Sequence, residues 1–204
     1  MLHVVVTGAD GCGKSTLCEK LREALAPASV VVSSPWQTLN LVREAFSLGQ
    51  VSQQHFVQAY LQSIQATSRL YFLYHAVLAA HQAACREQPD IIISDGYWYK
   101  YALFELGFGL EEDKAMLAAS LFPQPDLCLY LELDPEEAGR RKQAVSEYES
   151  GGTGELQRFL ELQRVLRPRW QRLARQPGWH TLPGTLSPEA LCDTATALIR
   201  PLLG

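Results

Sequence analysis

Short apolar runs rich in β-branched residues alternate along the chain with longer stretches of helical periodicity. The runs cover residues 2–7, 29–34, 90–94, 126–133 and 179–182. Three of them contain an uninterrupted Val-Val-Val or Ile-Ile-Ile segment. Continuous hydrophobicity of this kind is typical of strands that are buried on both faces. The pattern therefore predicts five strands of a mainly parallel sheet.

Helical stretches fill the intervals between these runs. They are predicted at 14–25, 38–48, 53–86, 99–106, 111–121, 135–143, 155–175 and 187–202. Pro168 is expected to kink or break the seventh helix, because proline has no N–H to donate. Ser187 followed by Pro188 is a typical helix start. The regular alternation predicts an α/β fold in which helices sandwich the sheet.

The overall composition narrows the class of protein. A chain of 204 residues suits a single domain, which we take as 1–204. Its formal charge of −4 argues against binding polymeric nucleic acid, which attracts strongly basic faces. A small anionic ligand needs only a local cluster of cations, so the acidity does not argue against one.

The sequence also suggests a compartment. The N-terminal apolar run stops after seven residues and lacks the basic start of a signal peptide. No stretch reaches the roughly 20 apolar residues that span a bilayer. The five cysteines are odd in number and form no CxxC pair, which favours reduced thiols. We therefore expect a cytoplasmic protein with no membrane partner, and a homodimer is left open.

The clearest chemical signal is a glycine-rich loop between the first strand and the first helix. Residues 8–15 match the pattern GxxxxGK[ST]. Glycines let backbone N–H groups surround a phosphate, and the helix N-terminus adds its positive dipole end. Lys14 would reach the β- and γ-phosphates of ATP, and the Ser15 hydroxyl would ligate Mg²⁺. The predicted phosphate-binding residues are Gly8, Asp10, Gly11, Cys12, Gly13, Lys14, Ser15 and Thr16.

A carboxylate ends the third predicted strand. Asp95 follows Ile-Ile-Ile-Ser, and ligands of open α/β folds bind at the carboxyl ends of strands. Asp95 is therefore predicted to hold Mg²⁺ or to orient the acceptor. The alternative is an aspartate that only caps the next helix.

A third element combines cations and glycines. Arg140, Arg141 and Lys142 precede a segment in which three of four residues, 151–154, are glycine. Phosphoryl transfer gathers negative charge, which arginines closing over the site would stabilise. We therefore predict a mobile lid at about 140–155 with Arg140 and Arg141 as catalytic residues. The alternatives are a solvated basic helix face and a linker.

These motifs resemble those of one known family. The loop Gly-Ala-Asp-Gly-Cys-Gly-Lys-Ser-Thr is similar to the GxDGxGKST form of thymidylate kinases. Asp95-Gly96-Tyr97 stands where that family has Asp-Arg-Tyr, and Arg69 stands where it has a base-contacting arginine. The resemblance implies a P-loop kinase fold and transfer from MgATP to thymidylate or a close variant. It also implies that Asp10 faces the acceptor and that Asp95 is the catalytic, metal-associated carboxylate. Because the loop carries no arginine, the resemblance again points to the lid arginines.

The acceptor side departs from the family pattern. The arginine of Asp-Arg-Tyr, which holds the acceptor phosphate in the family, is Gly96 here, and Lys100 one helical turn later is a possible replacement. The family's Arg-Glu-Pro segment is Ser-Ser-Pro-Trp at 33–36, and its thymine-stacking phenylalanine is Gln65. Trp36 and Tyr97 would offer a stacking surface, or belong to the core. The predicted substrate-binding residues are Asp10, Trp36, Gln65, Arg69, Tyr97 and Lys100.

Three functions are therefore weighed. The first is a kinase of a nucleoside monophosphate with ATP and Mg²⁺, and the second is a kinase of a nucleoside or another small hydroxyl compound. The third is an ATP-binding regulator without transfer. A switch GTPase is disfavoured, because residues 95–98 read Asp-Gly-Tyr-Trp instead of DxxG and no NKxD occurs.

Overall fold

Five parallel strands form one sheet. The structure, a computed structural model, describes residues 1–45 and 59–203. The strands are β1 (Leu2–Gly8), β2 (Val30–Ser33), β3 (Ile91–Asp95), β4 (Leu127–Glu132) and β5 (Trp179–Pro183). Their order across the sheet is β2-β3-β1-β4-β5, and every neighbouring pair is parallel. The predicted five-stranded parallel sheet is confirmed.

Helices occupy most of the intervals that the sequence assigned to them. They are α1 (Lys14–Ala24), α2 (Pro35–Ala45), α3 (Ala66–Arg86), α4 (Trp98–Gly107), α5 (Glu112–Met116), α6 (Pro135–Arg141), α7 (Leu156–Leu173) and α8 (Pro188–Ile199). Short 3₁₀ turns follow at Ala119–Leu121, Tyr148–Ser150 and Arg200–Leu202. In this part of the chain, no helix combines the length and the apolar character needed to cross a bilayer.

One prediction about helices was wrong, and another was wrong in part: the structure shows no break at Pro168, while a kink there stays a prediction. The stretch predicted as one helix over 53–86 is interrupted: residues 59–63 are helical, and α3 begins only at Ala66 after Gln65 adopts an extended conformation. Residues 46–48 and 53–58 of the predicted helices lie outside the described residues. Pro168 does not break α7, which continues to Leu173. The buried side chains of Leu166 and Trp170 fix the helix to the core on both sides of the proline.

The continuous apolar runs have a direct structural cause. Val4 and Val6 of β1 pack with Leu21 of α1 in one core cluster, whereas Val5 packs with Leu73 of α3 on the opposite face. All three valines are fully buried. Since successive strand residues point to opposite faces and helices cover both, no position in this segment tolerates a polar side chain.

The strand order places the loops that follow β1, β3 and β4 side by side at the carboxyl edge of the sheet. β1 is central, with β3 on one side and β4 on the other, so the connection after β1 leads to one side of the sheet and the connection after β3 leads to the other. Val6 pairs with Asp95, and Gly8 pairs with Leu131. Ligands of open α/β sheets bind outside the carboxyl ends of the strands at such a switch point. The predicted phosphate loop and Asp95 therefore meet at this edge.

Candidate active site

The glycine-rich loop is held tightly between neighbouring backbones. Gly8 and Gly11 have φ angles of +144° and +84°. A Cβ at Gly8 would lie 2.6 Å from the carbonyl oxygen of Leu131, and one at Gly11 would lie 2.9 Å from that of Ala138. Any side chain would clash with β4 or α6, so the loop requires glycine at both positions.

The start of α1 is suited to an anion. Its N-cap residue, Gly13, has a φ of +95° and offers no side chain to the first helical N–H groups. These groups and the helix dipole favour a negatively charged ligand. The Lys14 ammonium lies against the same loop, because it donates to the carbonyl oxygens of Gly8 at 3.2 Å and Ala9 at 2.7 Å. The loop thus presents the backbone donors and the cation that a triphosphate requires.

A hydroxyl and a carboxylate meet beside the loop. Ser15 Oγ donates to Asp95 Oδ2 at 2.6 Å, although the two residues are 80 positions apart. Both groups supply the oxygen ligands that Mg²⁺ prefers. In the described ranges, no cluster of three or more His, Cys, Asp or Glu residues could hold a metal by itself. A pair of ligands nevertheless fits Mg²⁺, which in nucleotide sites is bound by one or two protein groups, phosphates and water.

One cavity joins these parts. It has a volume of about 360 Å³, which suits a small-molecule site. It is lined by Asp10, Gly11, Gly13, Lys14, Ser15, Thr16, Trp36, Asp95, Lys100, Tyr101, Lys142 and Glu149. Nine of these twelve were predicted as site residues from the sequence. Of the other predicted loop residues, Gly8 ends β1, and Cys12 is a buried thiol 3.9 Å from Lys14 Nζ.

A buried ion pair lies in the wall of this cavity. Lys100 Nζ donates to Asp10 Oδ1 at 2.5 Å, and Lys14 Nζ lies 3.6 Å from the same oxygen. Burial alone would raise the pKa of Asp10, but the ammonium groups of Lys100 and Lys14 outweigh burial and lower the pKa to about 2. The second oxygen, Oδ2, is buried and has no hydrogen-bond partner within residues 1–45 and 59–203. Asp10 therefore stays ionised near neutral pH.

Lys100 also lies next to the position where the family arginine is missing. Gly96 has a φ of +72°, and a Cβ built there would be 3.8 Å from Cδ of Lys100. The lysine side chain therefore passes through the space beside residue 96, and its ammonium reaches Asp10. The spacing of one helical turn between residues 96 and 100 therefore does bring the Lys100 side chain next to Gly96.

The predicted catalytic arginines are not among the cavity-lining residues. Arg140 is 75% exposed and pairs with Glu137 at 2.7 Å. Arg141 donates to Glu137 at 2.9 Å and to the carbonyl oxygen of Gly184 at 2.8 Å. Both pairs have the i,i+3 or i,i+4 spacing of helix ion pairs. Glu137 stands three and four residues before the two arginines, so the sequence spacing alone could have predicted these ion pairs.

The predicted base-stacking role of Tyr97 does not fit its position. Its ring is completely buried, packs on Phe122 and His3, and its hydroxyl donates to the carbonyl oxygen of Pro123 at 2.9 Å. Tyr97 therefore lies in the core and is not among the residues that line the cavity. Trp36, by contrast, is 37% exposed and lines the cavity.

Arg69 is held by a partner that the sequence did not reveal. Its Nε and one terminal nitrogen donate to the two carboxylate oxygens of Glu105 at 2.6 and 2.7 Å. Glu105 is fully buried, and burial raises its pKa despite the guanidinium. Gln65, the other predicted base contact, is exposed one turn earlier at the start of α3.

The lid segment packs against the body of the protein. Tyr148 stacks on Phe104 with ring centroids 5.7 Å apart and an interplanar angle of 17°. Glu149 accepts a hydrogen bond from Lys142 Nζ at 2.7 Å and another from the backbone N–H of Ser146 at 2.9 Å. The mobility of this lid stays a prediction.

Sequence reasoning missed three cavity residues, namely Tyr101, Lys142 and Glu149. Lys142 stood in the basic run but was passed over in favour of its two neighbours. It is the C-cap residue that directly follows α6, and its backbone is extended, with φ −86° and ψ 131°. Helical spacing predicts no direction for such a residue, so only the tertiary structure assigns it to the cavity.

Comparisons with known proteins agree with this geometry. A family model described as thymidylate kinase matches residues 6–194. A thymidylate kinase of Synechococcus sp. (strain RCC307) is 32% identical over 97% of this chain and 94% of its own length. A probable thymidylate kinase of Pyrococcus abyssi is 29% identical over 84% of this chain and 82% of its own length.

Among solved structures, a deoxyadenosine kinase from M. mycoides, with dCMP and dCDP bound as products, has a TM-score of 0.66. The match covers 98% of this chain and 100% of that chain at 12% identity, and it supports the fold.

Proposed function

Because this chain belongs to the thymidylate kinase family, we propose that it transfers the γ-phosphoryl group of ATP to a nucleoside monophosphate, with thymidylate (dTMP) as the preferred acceptor. The chain is a nucleotide kinase of the P-loop type. One observation carries the choice of acceptor: a buried lysine and an ionised aspartate, Lys100 and Asp10, share a cavity with the phosphate loop.

On the donor side, the backbone N–H groups at the start of α1 would bind phosphate oxygens. Lys14 would leave the carbonyl oxygens of Gly8 and Ala9 and turn its ammonium toward the β- and γ-phosphates. Ser15 and Asp95 would hold Mg²⁺, which when bound neutralises the charge of these phosphates. These groups supply positioning and charge, which dominate catalysis of phosphoryl transfer.

In the transfer step, an oxygen of the acceptor phosphate forms a bond to the γ-phosphorus. The bond from that phosphorus to the β–γ bridging oxygen breaks, and the electron pair leaves with ADP. The products are ADP and a nucleoside diphosphate. Because a phosphate oxygen is already ionised near neutral pH, no protein group has to remove a proton.

The electrostatics of Asp10 favour an acceptor of this kind. A carboxylate with a pKa of about 2 is a weak base, so it accepts a hydrogen bond but does not take a proton near neutral pH. Asp10 would hold the Lys100 ammonium in the cavity wall through its Oδ1. Lys100 would contribute the positive charge for the acceptor phosphate that an arginine contributes elsewhere in the family.

A second candidate is a kinase of a nucleoside or another neutral hydroxyl compound. The observation that favours it is Gly96, since lysine supplies a point charge without the bidentate fork of arginine. Such a reaction would need a base for the hydroxyl proton. Asp95, which is only half-buried at the edge of the cavity, would have to serve that purpose.

A panel of acceptors separates the two candidates. The purified protein is incubated with MgATP and, in turn, with dTMP, other monophosphates, thymidine and other nucleosides. Formation of ADP and of the phosphorylated product is followed by chromatography. We expect dTMP to give dTDP and Lys14→Met to abolish the reaction. If nucleosides accept phosphate and no monophosphate does, the acceptor half of the proposal is wrong.

The location of the protein follows as part of the same proposal. The five cysteines are free thiols, which suits a reducing compartment. We expect the protein to work in the cytoplasm.

A further inference from the structure

The basic run at the end of α6 contains three cations that differ in their surroundings. Arg140 and Arg141 have side chains that are 75% and 34% exposed and pair with Glu137 on their own helix. Lys142 is only 15% exposed and lines the cavity that also contains Lys14, Ser15 and Asp95. The difference arises because α6 ends at Arg141 and Lys142 turns out of the helical path.

Lys142 lies directly over the phosphate loop. A Cβ built at Gly11 would be 3.4 Å from its Cγ, so the lysine stem packs on the loop backbone at the residue where no side chain is tolerated. Its ammonium lies 5.5 Å from the centre of the Phe159 ring. The stem and the ring restrict the directions in which the ammonium can move.

An acidic partner from the lid segment holds this ammonium. Glu149 Oε1 is 2.7 Å from Lys142 Nζ, and Glu149 is only 18% exposed. Its other oxygen accepts from the backbone N–H of Ser146 at 2.9 Å, which fixes the carboxylate. The pair joins the end of α6 to the lid and places one charge of each sign on the cavity wall.

We propose that Lys142, and neither of the two arginines before it, is the catalytic cation that the lid side contributes to phosphoryl transfer. This inference rests on the proposed function. As the bond to the β–γ bridging oxygen breaks, negative charge accumulates on that oxygen and on the moving phosphoryl group. Lys142 leans over the loop that binds these phosphates and exchanges its contact with Glu149 for a contact with this charge.

The charge balance of the cavity is consistent with this role. Its walls carry the cations Lys14, Lys100 and Lys142 and the anions Asp10, Asp95 and Glu149. Lys14 and Lys100 both contact Asp10, and Asp95 contacts Ser15. The Lys142–Glu149 pair is the part of the wall that comes from the α6–α7 connection. Movement of the lid can therefore change the Lys142–Glu149 contact while the contacts among Lys14, Lys100 and Asp10 stay in place.

The test compares Lys142→Met with two other variants. Arg140→Met removes the neighbouring cation, and Lys114→Met removes an exposed lysine paired with Glu111 at 2.9 Å. Removing one charge-stabilising donor costs roughly 10²–10³-fold in turnover. We expect Lys142→Met to lower kcat by about 100-fold while the Kd for MgATP changes less than about threefold. Arg140→Met and Lys114→Met should each stay within about twofold of wild type, and Lys142→Arg should recover part of the loss.

A loss in Arg140→Met as large as that in Lys142→Met would overturn the inference, as would a normal kcat in a folded Lys142→Met variant. A second measurement keeps this result separate from the proposed function. In a complex with ADP, aluminium fluoride mimics the γ-phosphoryl group in the transition state, and its binding does not require turnover of an acceptor. Lys142→Met should weaken this complex by at least about tenfold more than it weakens ADP alone. Failure of every acceptor with the wild-type protein would refute the proposed function, while equal weakening of both complexes would refute the role of Lys142.

Discussion

Replacing Lys100 with methionine tests the acceptor side most directly, because it keeps the length of the side chain and removes its charge. Lys100 and Asp10 are 9% and 7% exposed, and their charged atoms are 2.5 Å apart. In the variant, the Asp10 carboxylate would keep only Lys14, whose ammonium is 3.6 Å away. The pKa of Asp10 should therefore rise toward and beyond its ordinary value, since burial is no longer outweighed.

The cost to stability follows from this uncompensated charge. Removing one partner of a buried ion pair typically costs about 3–5 kcal/mol. Lys14 remains nearby, so we expect the lower end of that range, about 3 kcal/mol of unfolding free energy. For a domain of this size, 1 kcal/mol corresponds to about 2–4 °C in Tm. The expected fall in Tm is therefore roughly 6–12 °C at pH 7.

The kinetic effect is distinct from the loss of stability. A hydrogen bond to a charged group contributes about 1.5–3 kcal/mol, so the KM for dTMP should rise by roughly 10- to 150-fold. The KM for ATP should change less than about threefold, because Lys14 and the loop are intact. Steady-state kinetics with each substrate varied, together with urea unfolding, measure both effects.

A double variant separates the two roles of Lys100. Asp10→Asn combined with Lys100→Met removes both members of the pair and leaves Lys14 bound to the carbonyl oxygens of Gly8 and Ala9. The double variant should therefore regain part of the lost unfolding free energy while the KM for dTMP stays high. Lys114→Met serves as the control for the substitution itself. The reasoning fails if Lys100→Met unfolds like wild type and binds dTMP normally. A loss of stability with an unchanged KM would show that Lys100 only neutralises Asp10.

Three further predictions concern other buried or site groups. Asp95→Asn should lower turnover by roughly 10²-fold while ATP binding stays near wild type. Normal turnover would show that phosphoryl transfer does not depend on the Asp95 carboxylate. Burial lowers the pKa of His3 to about 3 from 6.5, so the folded state resists its protonation. Its contribution to stability is intact above pH 6.5 and falls by about 1.4 kcal/mol per pH unit between pH 6.5 and 3. Urea unfolding at pH 7.5 and 5 should show a smaller difference in His3→Gln, and an equal difference would contradict this. Glu105→Gln should lower the free energy of unfolding by about 3 kcal/mol, because it leaves the Arg69 guanidinium uncompensated. Adding Arg69→Met should recover part of this loss, as measured by urea unfolding of the single and double variants. If the effects of the two substitutions are fully additive, the two residues are not coupled.

The sequence alone predicted the sheet, which the structure confirms, and the residues that we propose for the donor side of the site. Runs such as residues 4–6 and 91–93 are apolar at every position because both faces of the sheet are covered. The loop over 8–15 matched a known pattern because its residues are neighbours in the sequence: they supply the N–H groups, the cation and the hydroxyl that we propose binds Mg²⁺. Asp95 was predictable because strand ends in a parallel sheet meet at one edge.

The tertiary structure decided which distant charges meet. Arg69 and Glu105 are 36 positions apart, and Lys100 and Asp10 are 90 apart. Helical spacing placed Lys100 near Gly96 but did not predict Asp10 as its partner. The assignment of Arg140 and Arg141 failed to place them in the cavity because their helix turns them toward Glu137, while Lys142 leaves the helix. The direction in which a charged side chain points depends on the backbone conformation at that residue, and here the end of α6 sets it. For this reason the sequence could predict a phosphate-binding loop, but only the tertiary structure shows that Lys14, Lys100 and Lys142 line the cavity beside it.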